Sequence, residues 1–164
     1  MPLVVRRLLA FVIDYLIILI YAALLLGVIL LITEPQPMHP IKAQLLGFFT
    51  LTLPVFLYSF LLEKSAQRAT IGKRIMKLSI QYNNPIDIAQ RNFLKYLPWE
   101  IAHTGVHWIM FYSWSELEIP LWVWIITYLA QVLALVYFIS LFRAKGTKTL
   151  YDFLAGTRMV YRSN

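Results

Sequence analysis

Residues 8–32 read LLAFVIDYLIILIYAALLLGVILLI, an uncharged run except for Asp14, with Arg6 and Arg7 standing just before it. A helix needs roughly 20 apolar residues to cross a bilayer, and this run exceeds that. A carboxylate inside such a helix costs about 2.5–3.5 kcal/mol on insertion scales, so it needs a partner or a cavity. Arg7 lies two helical turns before Asp14 on nearly the same face, which makes it the expected charge partner. A cleaved signal peptide would have a shorter apolar core and a small-residue cleavage site, so the segment reads as a retained span.

Working outward, three further stretches have the length of spans: 43–62, 96–114 and 120–142. The stretch 96–114 is less apolar and holds Glu100, His103 and His107. Pro54 and Pro98 fall inside two of these stretches, and membrane helices tolerate such prolines when a neighbour satisfies the freed carbonyl. Tyrosines and tryptophans crowd the ends, as interfacial anchors do.

The 164 residues are 60% hydrophobic and 14% charged, against about 25% charged in soluble domains. There are no cysteines, which excludes disulfides, thiol nucleophiles and cysteine-bound zinc or iron–sulfur centres. The net charge of +7 does not point to nucleic acid, because the basic residues flank the apolar runs instead of forming one patch. All 15 lysines and arginines except Lys42 fall in the N-terminus, the 63–95 loop or the tail after 142. Under the positive-inside rule this alternation gives four spans with both termini in the cytoplasm of a cell (inner) membrane.

The two basic segments resemble each other. One reads TIGKRIMKLSIQY from Thr70, the other TLYDFLAGTRMVY from Thr149. In both, threonine can cap a short amphipathic helix that leads into an extended segment. The expected fold is therefore an all-α polytopic membrane protein, a single domain over 1–164. It has four transmembrane helices, short amphipathic helices and a small cytoplasmic two-stranded β element, in which 77–82 pairs with 157–162. An internal duplication of 1–84 and 85–164 is the simplest origin.

Three sets of residues could carry chemistry. Asp14 with Arg7 is either a structural pair or a protonatable carboxylate lining a pathway. Asp152 stands three residues after Thr149, a capping-box spacing, and could also take an arginine, Arg7 or Arg74. Glu100, His103 and His107 share one helix face, a spacing that suits a transition metal, a proton relay or interhelical hydrogen bonds. As a metal site it would need a further ligand, such as Asp14 or Glu63. Neither a nucleophile elbow nor a phosphate loop is present, so no enzymatic activity is expected.

These blocks resemble the RDD family of small membrane proteins, named for one arginine and two aspartates. The resemblance rests on RLLAFVID from Arg7 to Asp14, TIGKRIMKL from Thr70, and TLYDFLAGT from Thr149 to Thr157. It implies that Arg7, Asp14 and Asp152 are the family's positions. Tyr151 stands where the family often has histidine, and Glu100 with His103 looks like a subfamily feature. The family is often supposed to act in transport, and some members are similar to cation/proton antiporters. The expectation is transport of an ion or small solute, with proton coupling as one form of it, by a homo-oligomer in the lipid bilayer. A non-transporting accessory or scaffold subunit and a metal-binding membrane protein are the alternatives. No resident cofactor is expected.

Overall fold

The computed structural model describes residues 1–32, 34 and 38–162. Parts of the expected outer loop (33 and 35–37) and the last two residues of the tail lie outside the described residues. Helix α1 spans Leu3–Ile32. Helix α2, Pro40–Gly47, continues through a π-helical turn at Phe48–Thr52 into α3, Leu53–Lys64. A short helix α4, Ile71–Ile75, leads to strand β1, Leu78–Gln81. Helix α5 spans Pro85–Trp114 and α6 Leu121–Arg143. The chain closes with α7, Leu150–Leu154, and strand β2, Arg158–Tyr161.

Among the described residues three helices are long and apolar enough to cross a membrane: Leu3–Ile32, Pro40–Lys64 and Leu121–Arg143. The fourth expected span lies inside α5. That helix is about 45 Å long at 1.5 Å per residue, but its polar residues keep it below the apolarity of the others. Large apolar side chains stand exposed along α1 and α6, Leu24 and Leu31 on one and Leu129 and Phe138 on the other. A surface that is apolar over such an area belongs against lipid.

Both interior prolines sit where another helix supplies the missing bond. Pro54 has no N–H for the carbonyl of Thr50, and the Tyr21 hydroxyl of α1 donates to that oxygen at 2.5 Å. Pro98 leaves the carbonyl of Leu94 unbonded, and the Tyr137 hydroxyl of α6 donates to it at 2.9 Å. The freed carbonyls are thus tied to neighbouring helices and do not depend on water, as hydrocarbon requires.

The expected strand pairing is present. β1 and β2 run antiparallel, Leu78 opposite Tyr161 and Ile80 opposite Met159. Alternation turns Leu78, Ile80 and Met159 inward, where they pack with Ala10 and Ile88 in a continuous buried apolar cluster. The bonds that lead into each strand repeat. Ile80 donates to the carbonyl of Arg68 at 2.9 Å, and Met159 to that of Thr147 at 2.8 Å. Arg74 donates to Thr70, and Phe153 to Thr149. Lys77 (φ +54°) and Gly156 (φ +66°) hold the same left-handed position between helix and strand. Each of these pairs keeps the offset that separates Thr70 from Thr149.

The bundle has two unlike ends. One gathers the start of α1, the end of α3, the start of α5 and the segment after α6 around buried charges. The other is aromatic: Trp108 meets Trp122 at 5.0 Å and His39 at 6.0 Å between ring centroids.

Candidate functional site

At the charged end two carboxylates are shared among three cations, all with side chains less than a tenth exposed. Glu63, at the end of α3, takes Lys73 Nζ at 2.6 Å, Arg91 Nη1 at 2.6 Å and Asn92 Nδ2 at 2.8 Å. Asp152 takes Arg7 Nη2 and Arg91 Nε, each at 2.7 Å. Arg91 therefore bridges both acids. Arg7 also donates to the carbonyl of Gly146 at 2.9 Å, fixing the turn after α6 against the first turn of α1. Gly146, at φ +84°, has the backbone of Val4 against it, so a side chain there would collide.

Asp14 forms a separate knot. Its Oδ1 accepts from the Tyr58 hydroxyl at 2.8 Å and the Gly72 amide at 2.8 Å, and its Oδ2 from the Thr70 hydroxyl at 2.5 Å. It thereby closes the N-terminus of α4 from α1. Asp152 does the same for α7 from within, in a capping box with Thr149. A Cβ at Gly72 would meet the Ala10 carbonyl and stand 3.0 Å from the Asp14 carboxyl carbon, so the glycine permits this approach.

The expected Arg7–Asp14 pair is not formed. Side chains on a helix lean toward its N-terminus. Asp14 therefore leans toward the first turn of α1, but Arg7 leans away from Asp14, off the helix start, and meets Asp152. Of the two arginines expected for Asp152, Arg7 is a partner. Arg74 instead donates to the carbonyl of Ala69 and the Ser65 hydroxyl. Sequence reading overlooked Arg91, Lys73 and Asn92 and gave Glu63 only as a spare ligand. The one signal for Glu63 is its place as the first acid after an uncharged run from Ala43.

Burial alone would raise the Asp152 carboxyl, but Arg91, Arg7 and the Thr149 amide outweigh it and hold the group well below the ordinary carboxylate range. Burial pulls the Lys73 amine down to about 8, with Glu63 opposing the shift.

Glu100, His103 and His107 do lie together, facing protein. Glu100 accepts from Gln44 at 2.7 Å and from the Thr52 hydroxyl, and its Oε1 is 3.8 Å from His103 Nδ1. The His103 and His107 rings are 6.1 Å apart. The polar partners come from α2 and the π-helical turn; Asp14 and Glu63, the further ligands considered for a metal, are bonded elsewhere. Among the described residues no group of three or more His, Asp or Glu side chains is arranged to hold a metal ion. Of the three, Glu100 makes the interhelical hydrogen bonds.

Beside the charged knot lies a cavity of about 540 Å³ between α1, α5 and α6. Arg7, Asp14, Lys73, Arg91 and Lys95 reach it at one end, and Gln131, midway along α6, faces it farther in.

A profile of the RDD family matches residues 1–156. The chain belongs to the RDD family. RDD proteins are membrane proteins, in keeping with the three apolar helices. No curated protein and no solved structure matches the chain. Arg7 and Asp152 form one ion pair, while Asp14 stands apart on hydroxyl and amide donors.

Proposed function

We propose that this RDD protein is a four-span transporter of an ion or small solute, with the cavity beside Asp14 as its solute site. The observation that carries the reading is the 540 Å³ cavity itself, which joins a charged end to a mid-helix carboxamide, Gln131, with no bonded partner among the described residues. An unpartnered amide at that depth is costly in hydrocarbon unless solvent or solute reaches it. Asp14 is the titrating group. Protonation would weaken its acceptance from Gly72 and Thr70 and loosen α4 against α1, which links proton binding to movement at the cavity wall. The four-span topology is supported by α5 running beside α6 from the charged end to the aromatic end, with Glu100 turned onto α2 and away from lipid. The termini and the charged end are cytoplasmic in this reading. Four helices make a thin wall, so a homo-oligomer is expected.

A scaffold role is the second reading, favoured by one observation: Asp14 and Asp152 each close the start of a short helix, a structural task. The two separate in liposomes loaded with a pH-sensitive dye, under sodium and then potassium gradients. Transport predicts proton movement that depends on one gradient and is lost in folded Asp14→Asn. A folded wild-type protein that moves no protons under either gradient would overturn the transport reading.

A further inference from the structure

The cavity is apolar along most of its length and charged at one end. Leu8, Phe11 and Ile18 wall it from α1, and Ala134, Phe138 and Leu141 from α6. Phe11 and Phe138 are 59% and 50% exposed, so the opening lies sideways between the two helices, on the face that meets acyl chains. Four cations line the closed end: Arg7, Lys73, Arg91 and Lys95. The first three are held by Asp152 and Glu63. Lys95 is bonded differently. Its Nζ donates to the Ser59 hydroxyl at 3.3 Å and the Tyr96 hydroxyl at 3.2 Å, both neutral. Among the described residues no carboxylate bonds it; Glu63 acts on it only from beyond ion-pair distance, and is already bonded to Lys73 and Arg91. Setting Asp14, Glu63 and Asp152 against these four cations leaves one positive charge uncompensated, at the polar end of an apolar chamber. A lone cation beside hydrocarbon is costly, and an anion there removes the cost.

We infer that this cavity binds an anionic phospholipid of the surrounding bilayer, with its phosphate on Lys95 and one acyl chain between α1 and α6. The inference rests on reading the cavity as a ligand site and names the class of ligand; it holds whether or not the ligand is carried across. An inorganic anion would satisfy Lys95 but leave most of the apolar volume unfilled. The sideways opening lets the remaining chain stay in the bilayer. A lipid chain is already out of water, so the walls supply fit and little hydrophobic drive. Selectivity therefore falls on the head group, and a net charge of one minus matches the surplus of one cation.

Native mass spectrometry of the full chain released from nanodiscs tests this, with phosphatidylglycerol and phosphatidylcholine in equal amounts. One phosphatidylglycerol should be retained per chain in preference to phosphatidylcholine. Lys95→Gln should reduce that retention about tenfold, the scale of one charge-assisted bond. Ala134→Phe, which leaves Lys95 in place and fills the cavity, should abolish it. A phosphatidylglycerol with a mid-chain photoreactive group should cross-link to peptides holding Phe11 or Phe138. Equal retention of both lipids, an unchanged Lys95→Gln protein, or cross-links mapping elsewhere would each overturn the inference. So would retention of a free fatty acid in place of the phospholipid, or a second copy of the chain cross-linked across Phe138. Lipid retention without proton flux leaves the lipid site standing and removes only the transport reading; flux without retention removes only the lipid site.

Discussion

Tyr137 on α6 donates its hydroxyl to the carbonyl of Leu94 on α5, the carbonyl that Pro98 leaves without an amide. The bond joins the two helices one turn before Pro98 and stands at the wall of the cavity. A carbonyl left unpaired in a low-dielectric interior costs about 1–3 kcal/mol. Tyr137→Phe should lower the thermal stability of the protein in detergent by that order. In a Pro98→Ala background the amide of residue 98 bonds Leu94 itself, so the same substitution should then cost much less. Equal costs in both backgrounds would show that the tyrosine acts through packing alone.

Arg91 joins α3 to α7, with Nη1 on Glu63 and Nε on Asp152. Removing it leaves two buried carboxylates each short of a cation, and breaking a buried pair costs about 3–5 kcal/mol. Arg91→Met should therefore destabilise more than Arg143→Met at the end of α6, in chemical unfolding monitored by tryptophan fluorescence. A similar cost at both positions would mean that the cluster is not a stability centre.

The strand pairing, the two short helices and the Thr149 cap were legible because local chemistry decides them. Caps and alternating apolar residues act within a few positions of themselves. The expected Thr70 cap is not formed: its hydroxyl bonds Asp14, and the start of α4 is closed from α1 instead. The charged knot was only half legible. Asp14, Arg7 and Asp152 stand out as charges in or beside apolar runs, but which acid meets which base depends on helix ends brought together from distant parts of the chain. Arg91 looked like one more loop cation, since nothing local marks it as the bridge between α3 and α7. The side-chain lean that parts Arg7 from Asp14 is a local rule; spacing two turns apart shows a shared face but not that the two side chains meet.

Acid should reach the knot through Asp152. Its folded-state pKa lies below the unfolded value of about 3.9, so its stabilisation is present above that pH and is lost as pH falls toward the folded value. Stability in detergent should fall below about pH 4 with a slope approaching 1.4 kcal/mol per pH unit from this group. Asp152→Asn should start less stable and show a shallower acid slope. An identical slope in both proteins would assign the acid loss to other carboxylates.

The chain has no cysteine, so single cysteines report topology without background. With the charged end in the cytoplasm, a cysteine at Met38 should react with an impermeant thiol reagent on intact cells, and one at Asn83 only after permeabilisation. The reverse pattern would invert the bundle.

Arg7 and Asp14 belong to different bonding groups, although both stand on α1 two turns apart. Arg7 bonds Gly146, Tyr151 and Asp152; Asp14 bonds Tyr58, Thr70 and Gly72. No bonded partner is shared. Effects at sites without shared partners add to within about 0.3–0.5 kcal/mol, whereas bonded pairs couple by about 0.5–3 kcal/mol. Arg7→Gln and Asp14→Asn should therefore be additive in unfolding free energy, and Arg7→Gln with Asp152→Asn should not be. The second pair should cost less together than the sum, because neither member is left charged without the other, though Arg91 still faces the altered Asp152 and keeps the rescue partial. Coupling of Arg7 to Asp14 as strong as its coupling to Asp152 would restore the direct pair that their spacing suggests. Additivity there, with proton flux lost only in proteins carrying Asp14→Asn, would assign the ion pair to holding the fold and the lone aspartate to the work at the cavity.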